Sequence, residues 1–218
     1  MRKAKYLTLI TVTLVAFLLC AGSALADLIV NSGFEPGDTS FSTAYTVYTG
    51  PGDMGANIYG IGSDPMAFHH AWASYSPQEG SNMMIVNGAY PSQLTVWSVS
   101  VPVTSGTYHF SAWLANSYST NRATFALKID GSEVGTFSGL TSVGNGVWVE
   151  FALDWVSNMD QTVTLTLVDT LVAENGSDFT LDNITFTGNA VNTVPEPATM
   201  LLLGLGLIGM AGVRRFKK

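Results

Sequence analysis

Short runs in which apolar and polar residues alternate recur from residue 28 to residue 187. Successive side chains of a strand point to opposite faces, so a period of two predicts strands with one buried face. In "TYHFSAWLA", Tyr108, Phe110, Ala112 and Leu114 share a face. In "VWVEFALDW", Val147, Val149, Phe151, Leu153 and Trp155 do. "TVTLTLV" aligns Val163, Leu165 and Leu167, and "TFALKI" aligns Phe125, Leu127 and Ile129. Clusters of Gly, Asn, Ser and Pro separate these runs, and Asp130-Gly131 within "KIDGSEVG" reads as a two-residue hairpin turn. No stretch of this region keeps a 3.6-residue period. About eight to ten strands without a helix predict an all-β fold, two antiparallel sheets packed as a sandwich.

The pattern changes at both ends. Residues 1–26 combine a basic start (Arg2, Lys3, Lys5), an apolar run from Leu7 to Cys20 and the sequence Ala24-Leu25-Ala26. This is the layout of a secretory signal peptide, with Asp27 as the expected first mature residue. Cys20 raises a rival, a lipidated cysteine, but Leu19 stands where that motif needs a small residue. Cys20 is the single cysteine, so the mature chain has no disulfide framework, thiol nucleophile or cysteine-based zinc site. The length left between the two apolar ends suits one domain, expected over residues 27–187.

Charge narrows the partners. Between Asp27 and Val194 only Arg122 and Lys128 are basic, against fifteen acids, a net charge of −13. Such a domain repels phosphate backbones, which excludes nucleic-acid binding, and attracts divalent cations while tolerating neutral ligands such as sugars.

Beyond a linker over 188–197, Ala198 to Val213 is uncharged, long enough as a helix to span roughly 24 Å. Gly204, Gly206, Gly209 and Gly212 permit close approach of another helix, and Arg214, Arg215, Lys217 and Lys218 form a basic stop at 214–218. Val194-Pro195-Glu196-Pro197, the apolar helix and Arg214-Arg215, in that order, resemble the PEP-CTERM sorting signal of exported bacterial proteins. The resemblance implies a transmembrane helix that anchors the chain until an exosortase-type protease recognises the Pro-Glu-Pro segment and removes it. It also implies association of the surface protein with extracellular polysaccharide, and says nothing of the domain's activity.

A second resemblance spans the domain. "DLIVNSGFE", "SNMMIVNGA", "VWSVSVPVTSGTYHFSAWLAN" and "SDFTLDNITF" are similar, in that order, to jelly-roll carbohydrate-binding modules and galactose-binding-like domains. The likeness implies a jelly roll whose first and last strands are neighbours, and a structural Ca²⁺ between Glu35 and Asp182. Calcium takes six to eight oxygens, so carboxylates suit it; Asp53 and Asp178 are further acids of this kind. In the last strand the apolar phase passes from Phe179 and Leu181 to Ile184 and Phe186, predicting a β-bulge at Asp182-Asn183.

The polar phases supply a candidate ligand face. His109, Ser111 and Trp113 lie opposite the apolar set of their strand, and Trp148, Glu150 and Asp154 opposite theirs. An indole flanked by short polar groups suits a pyranose ring, with Trp72 and Tyr75 of "FHHAWASY" as rim aromatics. Trp97 and Trp155 take the apolar phase and are expected in the core. No catalytic fingerprint appears, and Glu150 and Asp154 stand side by side on one strand instead of opposing each other across a bond. His69-His70, if on a strand, would point to opposite faces and not share a metal. The expectation is therefore a non-enzymatic surface protein that binds carbohydrate, or else a structural, adhesive matrix protein.

Overall fold

The computed structural model describes residues 26–188. Residues 1–25 and 189–218 lie outside the described residues, and with them nearly all of the expected signal peptide, linker, sorting helix and basic stop. Among the described residues no helix is long and apolar enough to cross a membrane.

The alternating runs form two packed sheets. The larger contains β1 (Ala26–Asp27), β2 (Thr46–Val47), β3 (Ile58–Gly62), β4 (Met83–Asn87), β6 (Gly106–Asn116), β9 (Val149–Ser157) and β11 (Phe179–Gly188). The smaller contains β5 (Leu94–Val103), β7 (Phe125–Ile129), β8 (Ser132–Phe137) and β10 (Gln161–Asp169). Their orders are β2-β3-β4-β11-β6-β9, with β1 also paired to β11, and β5-β10-β7-β8. All pairs are antiparallel except β2–β3. Helical structure among the described residues is limited to two short 3-10 turns, Pro65–Ala67 and Gly139–Ser142. This is the all-β sandwich that the alternation predicts, of the jelly-roll type that the resemblance implies.

The inner faces carry the core. Tyr108, Phe110, Ala112 and Leu114 of β6 meet Val163, Leu165 and Leu167 of β10 and Phe125 and Leu127 of β7 in one buried cluster. Each fully buried large apolar side chain contributes roughly 1.5–3 kcal/mol relative to exposure. The outer face of β10 is hydroxylated instead, with Thr166 and Thr164 bonded to Ser98 and Ser100 of β5. Trp97 is buried and Trp155 packs half-buried against the same core. Val147 departs from expectation: β9 begins at Val149, so Val147 precedes the strand and is exposed.

Two local features place the sites. The β7–β8 hairpin turns on Asp130 and Gly131, both at positive φ, as a tight two-residue loop requires. In β11 the register against β6 shifts between Asp182 and Thr185, with Asn183 at φ 44°, so the bulge falls where the apolar phase slips. A second apolar cluster covers part of the larger sheet's outer face. Met54 and Trp72, from the long connections flanking β3, pack on Met83 and Ile85 of β4, joined by Tyr48, Phe68, Tyr75, Tyr118 and Trp148.

Candidate functional site: a polar cleft and a carboxylate pair

Three segments far apart in sequence meet beside this second cluster. Residues from 69–72, 118–120 and 174–178, with Asn87 at the end of β4, enclose a cleft of about 340 Å³. Aromatic His69, Trp72 and Tyr118 line it together with polar Asn87, Glu174 and Asp178. Trp72 is only 2 % exposed, and the His69 ring stacks on it with centroids 4.9 Å apart. Trp72 Nε1 donates to Asp178 Oδ2 (3.1 Å), and the Gly88 N–H donates to Oδ1 (3.2 Å). Burial pushes the Asp178 carboxyl above its usual range, although the Gly88 N–H opposes this.

A buried network fixes the loop that carries Asp178. Asp169, at the end of β10, accepts from Tyr45 Oη (3.1 Å), the Ala89 N–H (3.1 Å) and the Leu171 N–H (3.2 Å). Ser177 Oγ also donates to it. Burial raises the Asp169 carboxyl to about 6 despite these donors.

Glu35 and Asp182 flank Gly33, where a Cβ would lie 3.7 Å from Asp182 Oδ1 and 4.0 Å from Glu35 Cγ. Both grip the connection before β4. Glu35 Oε1 accepts from the Ser81 and Asn82 N–H groups at 2.8 and 3.0 Å. Asp182 Oδ2 accepts from the Gln78 and Glu79 N–H groups at 2.8 and 3.2 Å. Gly80, at φ 69°, lets the chain pass Glu35, since a Cβ there would meet Oε1 at 2.2 Å. Asp182 is raised to about 6, chiefly by burial, with the Glu35 charge adding to it. Glu35, Glu79 and Asn183 line a small adjoining cavity. Two neighbouring carboxylates are the ligand type that Ca²⁺ takes, although Glu35 Oε1 and both Asp182 oxygens already accept backbone N–H groups.

The expected ligand face is largely engaged otherwise. Trp148 lies before β9, edge-on to Tyr75, and donates to the Ser76 carbonyl (3.2 Å). Tyr75 is no rim aromatic, because its hydroxyl bonds Ser117 and Thr180 beneath the covering loop. Trp72 is buried in the second apolar cluster, with its indole N–H on Asp178. Ser111 is buried against Thr185 (2.9 Å), and His109 pairs with Asp154 (2.7 Å). Trp113, half-buried, and exposed Glu150 remain as cross-strand neighbours on that face. His69 and His70 lie in a turn and not a strand, and their rings stack within 8° of parallel, 5.4 Å apart. Strand alternation therefore does not direct the two imidazoles to opposite faces, contrary to expectation.

Residues 193–215 match the PEP-CTERM protein-sorting motif, which marks the chain for export and surface sorting. No curated protein matches the chain. Among solved structures, a cyclase from Fischerella sp. TAU is 14 % identical over 78 % of this chain and 100 % of its own, with a TM-score of 0.57. The CBM22-1 xylan-binding domain from Paenibacillus barcinonensis is 14 % identical over 77 % and 97 %, TM-score 0.44. TmCBM61 in complex with β-1,4-galactotriose is 16 % identical over 74 % and 97 %, TM-score 0.48. The expectation of a non-enzymatic domain is corrected by the first of these, since the same fold carries an enzyme in Fischerella. At such identity the likeness extends to the fold alone.

Proposed function

We propose that the exported, surface-sorted domain binds extracellular carbohydrate in the cleft between His69, Tyr118 and Glu174. The observation that carries this reading is the cleft's makeup: aromatic side chains line it together with amide and carboxylate groups. Rings cover the apolar face of a pyranose, while side-chain oxygens and amides bond its hydroxyls. The strongly acidic domain suits a neutral glycan better than an anionic one. A calcium ion held by Glu35 and Asp182 belongs to the same proposal as a structural brace, tying the start of the domain to β11 and to the connection before β4. Exosortase-type cleavage after surface delivery completes it and releases the domain from its apolar tail.

Asp178 favours a second reading. A buried carboxyl with a raised pKa beside an imidazole is equipped for general acid–base chemistry on the bound ligand. One experiment tests both readings: neutral oligosaccharides are titrated into the purified exported chain, followed by NMR line broadening and by mass analysis of the recovered sugar. Broadening with unchanged sugar supports binding, and an altered sugar supports the catalytic reading. Sharp lines from a panel of β-linked hexose and xylose oligomers would overturn the carbohydrate assignment.

A further inference from the structure

We propose that Asp53, His69 and His70 form a binding site for a divalent transition metal such as Zn²⁺, next to the cleft and separate from the Glu35–Asp182 pair. The three side chains offer one carboxylate oxygen and two imidazole nitrogens, all within 4.8 Å of one another. Imidazole with carboxylate suits zinc, nickel and copper, whereas calcium takes oxygens alone. Three protein ligands leave further positions to water, and the His70 side chain, 81 % exposed, keeps the site open to it.

The two segments are held together in advance, and the stacked His69 and His70 rings, 8° from parallel, need only tilt to aim both in-plane lone pairs at one ion. Met54 and Trp72, which follow the ligand residues in the chain, are both buried in the second apolar cluster and anchor the two segments. The Met54 N–H donates to the Phe68 carbonyl (2.9 Å) and clips those segments together. Stacking on Trp72 fixes the plane of His69, and the His70 N–H donates to Asp53 Oδ1 (2.9 Å). That backbone donor holds the Asp53 carboxyl below its usual range. His70 Nδ1 and Asp53 Oδ2, 2.6 Å apart, already converge on a proton, the position a metal competes for. His69 Nδ1 accepts from the Ala71 N–H at 3.2 Å, the upper end of the hydrogen-bond range, so a metal taking this nitrogen displaces that donor. The surrounding net charge of −13 draws cations to the surface.

The test is calorimetric titration of Zn²⁺ into the exported chain purified without a polyhistidine tag, with excess Ca²⁺ present throughout. One zinc per chain is expected. Asp53→Asn, His69→Ala and His70→Ala should each weaken binding by roughly tenfold or more, with melting curves confirming that each variant folds. Cu²⁺ provides a second readout, because the metal-bound imidazole of His69 lies on the Trp72 ring: it should quench tryptophan emission, and His69→Ala should abolish the quenching. Absence of zinc uptake, displacement of zinc by calcium, or equal affinity in folded variants would overturn the proposal.

Discussion

The indole nitrogen of Trp72 donates to Asp178 across 3.1 Å, joining the connection between β3 and β4 to the residue that precedes β11. Both side chains are buried, so the carboxylate depends on its two donors, Trp72 and Gly88, for the solvation it has lost. Trp72→Phe keeps a ring in the second cluster and removes one donor. The expected cost is about 1–3 kcal/mol, the penalty for leaving a buried acceptor short of a partner. Urea denaturation measures it. An unchanged midpoint would mean that water replaces the indole and that the cleft is less dry than its burial implies.

The carboxylate pair makes a claim about calcium and pH together. An ion bound only by the folded chain stabilises it, so a chelator should lower Tm, and Glu35→Gln or Asp182→Asn should remove the chelator's effect. Protons compete for Asp182, whose carboxyl is raised to about 6. The calcium-dependent gain in Tm should therefore grow as pH rises from 5 to 7. A gain that is flat across this interval would detach the ion from Asp182.

Asp169 supplies the opposite slope in the metal-free protein. Its folded pKa, about 6, lies above the ordinary carboxyl value of about 3.9. The folded state then holds the proton more tightly than the unfolded one. Its contribution is fully present below pH 4 and is lost as pH rises through 6. At about 1.4 kcal/mol per unit the loss is about 3 kcal/mol at most. In excess chelator, stability should fall between pH 4 and 6, and Asp169→Asn should make that fall shallower. A variant with the same slope as the parent would assign the titration to other buried carboxyls.

Much of the framework was legible in the sequence because each strand has two unlike faces. The alternation in β6, β7 and β10 marks the core side chain by chain, and the slip at Asp182-Asn183 marks the bulge. Alternation stops being a guide where a strand stops. Val147 and Trp148 were read as part of β9, yet the strand starts at Val149, and Trp148 turns to Tyr75 beneath a loop. His69 and His70 were assigned opposite directions on a strand that does not exist there. The cleft was invisible for a different reason: His69, Tyr118 and Glu174 come together only through the packing of three loops, and no local period encodes that. The one available signal was the density of His, Trp and Tyr in "FHHAWASY", which marks a packed loop as readily as a binding one.

Two aromatic residues separate the cleft from the sheet face as the place for the proposed glycan. Tyr118 lines the cleft, while Trp113 sits half-buried on the outer face of β6 beside Glu150. If the cleft holds the glycan, Tyr118→Ala should weaken oligosaccharide binding by roughly tenfold, the loss of about 1.4 kcal/mol of ring contact. Tyr118 also packs on the second cluster, so its removal carries a stability cost that melting curves must report. Glu174→Gln avoids that difficulty, because Glu174 is exposed and its change leaves the packing intact while altering the polar lining. It should weaken binding without moving Tm. Trp113→Ala should leave both binding and Tm close to the parent, since the Trp113 side chain points away from the sandwich core. The reverse result, binding lost in Trp113→Ala and kept in Glu174→Gln, would move the site to the sheet face and leave the cleft to another ligand.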